Sequence, residues 1–172
     1  MSTKNLLEDG TVLTLGLVGA VAAAGALAGR RGSRAHGSPS FVPGEHGPLR
    51  SPFDAKDILY TALRGLTEDA YWVLLLDRAN RPIALERIGD SLEPRQVMRL
   101  AIQFDAAAVV VAHVNPPGGA GSPSLADLRA TRALVAAGTP LGVRVVDHFL
   151  FANIGVAGEM WASFALQGLL SV

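Results

Sequence analysis

The chain of 172 residues is long enough for one domain with an appendage and for a real hydrophobic core. Its 15 Lys and Arg balance 15 Asp and Glu, which argues against the strongly basic footprint of a nucleic-acid binder. Cysteine is absent, so disulfides, thiolate zinc sites and cysteine nucleophiles are excluded together, while the redox compartment stays open.

Residues 10–29 carry no charge and are rich in Ala, Gly, Leu and Val. At about 1.5 Å rise per residue a helix of that length just spans a hydrocarbon core. Three readings stand: a membrane anchor, a cleaved signal with Ala26-Leu27-Ala28 as its small-residue site, or an apolar helix that never enters lipid. Acidic Glu8 and Asp9 are the wrong flank for a signal, and Arg30, Arg31 and Arg34 on the other side would keep the following domain in the cytoplasm, anchored to the inner membrane if the segment spans it. Residues 30–50 mix Arg, Gly, Ser, Pro and His without apolar periodicity and read as a flexible linker, in which His36 and His46 are solvated.

The folded domain is expected over residues 51–172. Ser51 suits an N-cap, with Pro52 at the first helical position, Asp54 and Asp57 near the positive end, and Phe53, Ile58, Leu59, Ala62 and Leu66 at helical spacing. Ala70 to Leu76 is apolar throughout, as a strand covered on both faces must be. A turn at residues 77–81 leads to a second strand from Pro82 to Ile88, where Glu86 is the only carboxylate expected inside the sheet. Leu92 to Phe104 reads as a helix and Ala106 to Ala112 as a buried strand. A helix from Asp127 to Ala137 is expected to end at Gly138, followed by two short strands, Val143 to Val146 and Phe149 to Ala152, and a closing segment from Met160 to Leu170. His148, beside Asp147 between those strands, reads as a surface imidazole oriented by its neighbour. This order implies an α/β sandwich with a mixed sheet rather than a doubly wound one.

The loop from Ala112 to Asp127 holds an imidazole (His113), an amide (Asn115), a hydroxyl (Ser124) and a carboxylate (Asp127) among three prolines and three glycines. It joins a strand's C-terminal end to a helix N-terminus, where α/β proteins usually build sites. Ser124 and Asp127 also form S-x-x-D, a capping-box variant that needs no chemistry to explain it.

The stretch His113-Val114-Asn115-Pro116-Pro117-Gly118, with Pro123-Ser124-x-x-Asp127, resembles the metal-binding motif of the RadC branch of the JAB/MPN (JAMM) metallohydrolases. The resemblance extends from Ser51-Pro52 through Val73-Leu74-Leu75-Leu76-Asp77, Asp147-His148 and Ser163-Phe164-Ala165 to Gly168-Leu169-Leu170. It implies a JAB/MPN-type, cytidine-deaminase-like fold with a mixed sheet sandwiched by helices, here preceded by the apolar N-terminal helix and linker. It also implies a zinc ion held by His113, Asp127 and a third ligand, Glu86 as general base on a metal-bound water, and Ser124 as the residue that helps stabilise the oxyanion. Asn115 stands where the family has its second histidine, Pro117 replaces the motif serine, and one extra residue separates His113 from Asp127. A neutral amide oxygen substitutes poorly for imidazole on zinc, so zinc is expected to bind weakly or not at all.

Two functions follow from the resemblance. One is a degenerate JAB domain that binds or regulates a protein or peptide partner. The other is a working zinc peptidase or isopeptidase in which Asn115 or a water completes the coordination. A nucleic-acid role, suggested only by the DNA-repair label of RadC proteins, is disfavoured by neutral charge and by the missing helix-hairpin-helix region.

Overall fold

The computed structural model describes residues 40–170. The expectations for residues 1–29 and most of the linker fall outside the described residues. Among those described, no helix is long and apolar enough to cross a membrane. Residues 40–50 are not a free linker: Phe41 and Leu49 pack against the core, and the Leu49 N–H donates to Asn80 O at 2.9 Å.

Helix α1 (Pro52–Leu63) begins as its sequence dictates, with a reciprocal capping box between Ser51 and Asp54 and proline in the first turn. Strands β1 (Ala70–Leu76) and β2 (Pro82–Gly89) form an antiparallel hairpin, and α2 (Pro94–Gln103) follows. Strand β3 (Ala108–Asn115) leads through a Pro- and Gly-rich loop to α3 (Leu125–Gly138), which ends in a 3-10 turn over Thr139–Leu141. Gly138 keeps a helical φ of −75°, and the left-handed stop comes instead at Gly142, with φ 68°.

Strand β4 (Arg144–Ala152) is continuous, correcting the expected pair of short strands, and the closing segment is a strand, β5 (Met160–Ser163), followed by turns. Asp147 and His148 look like a break in the sequence, yet both sit buried within β4. A bulge at Val146 decides which face each takes, because Val145 pairs with Val109 while Asp147 pairs with Val110. The extra residue resets the alternation, turning Asp147 towards α1 and His148 towards α3.

The sheet order is β2-β1-β3-β4-β5, with β3 and β4 parallel and the other neighbours antiparallel. This is the mixed sheet expected. Side chains alternate along β1: Ala70, Trp72, Leu74 and Leu76 join the α1-side core, whereas Tyr71, Val73 and Leu75 join the core under α2 and α3. One helix on one face and two on the other bury every residue of β1, which explains its unbroken apolar sequence.

Candidate functional site

The site lies on the α3 side of the sheet, at the C-terminal end of β3. That strand runs three residues further than expected because β1 and β4 continue to pair with it, Ala70 opposite Val114 and Asn115 opposite Ala152. His113 and Asn115 are therefore strand residues two apart on one face, and the loop proper starts at Pro116.

His113 is nearly buried and stacks on Tyr71, its cross-strand partner, with ring centroids 3.9 Å apart and planes inclined by 12°. Its Nε2 lies 2.8 Å from Oδ1 of Asp69, in the turn before β1. Its Nδ1 faces Oδ1 of Asp127 at 3.6 Å, beyond hydrogen-bond reach, and has no hydrogen-bond partner.

Ser124 and Asp127 make the reciprocal capping box of α3. Oδ2 of Asp127 accepts from the Ser124 N–H at 2.9 Å and from its hydroxyl at 2.6 Å, and the Asp127 N–H is 3.1 Å from Ser124 Oγ. Oδ1 of Asp127 is left towards His113 and takes the Tyr71 hydroxyl at 3.3 Å. Burial alone would raise the Asp127 pKa, but the Ser124 hydroxyl and N–H, with His113 and His148, more than offset it and hold the carboxyl below its ordinary range. Tyr71 is pushed the other way, first by burial and then by the Asp127 charge, so its phenol stays protonated and donates.

Asn115 faces the loop. Its Nδ2 donates to Ala120 O at 2.9 Å, and Gly119 packs so closely that a Cβ there would stand 2.8 Å from Asn115 Cβ. Gly118, at φ +84°, donates its N–H to Asn153 Oδ1 at 3.2 Å. The glycines thus serve to fold the loop tightly onto Asn115 and the β4–β5 connection.

Glu86 pairs with Val73 on edge strand β2, on the same face as the site but two strands away from β3 and lower along the sheet than His113. Its side chain is half-buried and makes no hydrogen bond or ion pair among the described residues. It is not the only carboxylate of the sheet. Asp147 is far more deeply buried and accepts from the Ser163 hydroxyl and the Ala165 and His148 N–H groups. Burial dominates and raises its pKa in spite of those donors.

His148 is no surface imidazole. It is fully buried, stacked on Phe164 at 4.5 Å, and its Nδ1 lies 2.8 Å from Thr131 Oγ1. That hydroxyl donates its proton to Asp127 O at 2.7 Å, so the Nδ1–H of His148 is the donor between them and Nε2 carries a bare lone pair without a partner. Burial lowers its pKa to about 3, with Asp127 acting to raise it and His113 to lower it further. Asp69, Tyr71 and Thr131 were not among the residues the sequence singled out, and His148 was expected only as a surface imidazole. Only the register of β1 against β3 and the bulge in β4 bring them here, and neither is legible locally.

A catalytic zinc site takes three protein ligands and leaves a position open for water. Two groups have that character. The 3.6 Å between His113 Nδ1 and Asp127 Oδ1 is near the ~3.3 Å edge separating N and O ligands on one tetrahedral zinc. The third position fails: Asn115 offers a neutral amide tied into the loop, and no group of three His, Cys, Asp or Glu among the described residues is arranged to hold a metal. The residues fit a two-donor half-site and not the full set.

A family model described as RadC-like JAB domain matches residues 49–169. Curated relatives named UPF0758 protein include one from Alcanivorax borkumensis, 38% identical over 127 residues, covering 70% of this chain and 54% of the relative. Another from Thioalkalivibrio sulfidiphilus is 37% identical over 143 residues, covering 80% and 60%. A third, from Cellvibrio japonicus, is 40% identical over 128 residues, covering 71% and 54%. The chain thus spans little more than half the length of these relatives.

Proposed function

The chain belongs to the RadC-like JAB domain family, and from that premise we propose that it is a member whose hydrolytic metal site has been disarmed at Asn115, acting by binding or regulating a protein or peptide partner. The observation that carries this reading is the state of Asn115. A site that needs a nitrogen donor has a carboxamide there, hydrogen-bonded to Ala120 and packed against Gly119. Losing one of three ligands costs several kcal/mol of the roughly 10–16 kcal/mol that whole structural zinc sites supply. Ser124 in this reading is a helix cap first. The expected result is protein that purifies with far less than one equivalent of zinc and hydrolyses no peptide or isopeptide bond. A full equivalent held through His113 and Asp127 would contradict it.

A second reading, a working zinc peptidase or isopeptidase, is favoured by one observation: Glu86 is a half-buried carboxylate with no partner among the described residues, on the face of the sheet that carries His113. Unpaired carboxylates are uncommon in such places without a use. Glu86→Gln decides it. Any hydrolysis that this variant abolishes while folding is unchanged supports the enzyme, and hydrolysis that survives it removes Glu86 as base.

A further inference from the structure

Of the two donors that survive, His113 is useful only if its lone pair points at Asp127, and a histidine has two nitrogens to choose from. A carboxylate accepts but does not donate, so the 2.8 Å contact with Asp69 Oδ1 places the proton of the neutral ring on Nε2. The lone pair then lies on Nδ1, the buried nitrogen that has no hydrogen-bond partner and faces Asp127 Oδ1. The stacked Tyr71 ring holds the imidazole plane, and the Tyr71 hydroxyl is on the same Asp127 oxygen. Asp69 cannot itself be the missing third ligand, because Nε2 and Nδ1 lie on opposite flanks of the ring and an ion shared with Asp127 would be out of its reach.

We propose that Asp69 is a positioning residue: by taking the Nε2–H of His113 it aims Nδ1 at Asp127 and keeps a two-donor half-site for a divalent cation preformed without the metal. A carboxylate behind a ligating imidazole sets tautomer and ring orientation in metal sites generally. The Asp69 side chain is 57% exposed, so its pairing contributes little to stability, and its effect lies in orientation. The inference deepens the proposed function and rests on its assignment of His113 and Asp127 as the remaining donors.

The test has two arms on the full chain. First, nitrogen-15 NMR of the histidine side chains at alkaline pH reads the tautomer directly. The natural protein is expected to show His113 protonated on Nε2, and Asp69→Ala to release it to a mixture of tautomers, with Asp69→Glu restoring the original. A His113 protonated on Nδ1, or one unaffected by Asp69→Ala, overturns the proposal. Second, zinc or cobalt(II) affinity is measured in Asn115→His. Adding Asp69→Asn to that background is expected to weaken binding about 10- to 100-fold with unchanged melting temperature, and equal affinity overturns the proposal. If Asn115→His gains no metal while the tautomer is as stated, the account of Asn115 as the disarming change fails and the role of Asp69 stands.

Discussion

The two faces of β1 and β3 are made from the same two strands and differ at one end only. On the α1 face the rows run Ala70, Trp72, Leu74, Leu76 and Ala108, Val110, Ala112, Val114, apolar throughout. On the other face Val73, Leu75, Val109 and Val111 are as apolar, but the rows finish in Tyr71, His113 and Asn115. The strands therefore supply apolar packing along their length, and polar side chains only where β3 runs out under the capped start of α3. Behind that end, His148 and Asp147 are polar groups buried in β4 and tied to Thr131 and Ser163, so the frame around the site is itself sensitive to protonation and truncation.

The contrast can be broken from the apolar side first. Leu74→Ala, at a fully buried position, is expected to cost about 2–5 kcal/mol in denaturant unfolding and to leave the His113 tautomer unchanged. A change in that tautomer would show that the faces are coupled.

Acid should act next, through the buried imidazole. His148 has a folded pKa of about 3, well below its ordinary value of about 6.5. As pH falls below that ordinary value the unfolded chain takes a proton that the folded chain refuses. Its stability contribution is thus complete above pH ~6.5 and is lost progressively towards pH ~3. Asp127, also lowered, adds to the loss at the acid end, while Asp147, raised by burial, works in the opposite sense. Melting temperature followed across this range should fall for the natural protein and fall less for His148→Gln. Parallel curves would remove His148 as the cause.

Thr131→Val strips His148 Nδ1 of its acceptor and Asp127 O of its hydroxyl donor, at an expected cost of about 1–3 kcal/mol. Ser124→Ala removes a helix cap and should cost about 1 kcal/mol. Because the same hydroxyl holds Asp127 Oδ2, adding this variant to Asn115→His should weaken whatever zinc affinity that substitution creates, read by calorimetric titration.

The fold was largely legible in the sequence where local rules decide. The capping box at Ser51, the all-apolar β1 and the hairpin to β2 all follow from neighbouring residues, and so does the Ser124 cap. What escaped notice depends on register and on one inserted residue. Asp147 and His148 read as an interruption because two polar residues inside a strand usually are one; they alternate as strand residues do, and the bulge at Val146 sets Asp147 towards α1 and His148 towards α3. Likewise Tyr71 looked like one more core aromatic until its pairing with His113 placed its hydroxyl on Asp127. Glu86, Ser124, His113, Asn115 and Asp127 could be named from the motif. Of these, His113 and Asp127 face each other, Ser124 caps the helix, Asn115 closes the loop, and Glu86 stands apart on the edge strand.

In the function proposed above, one carboxamide, that of Asn115, separates this pocket from a metal site. Calorimetric titration of zinc into the natural chain and into Asn115→His tests it most directly. Binding to the natural protein is expected to be weak or undetectable, and the substituted one is expected to show a single tight site. Tight, one-to-one binding by the natural protein that His113→Ala abolishes would contradict it.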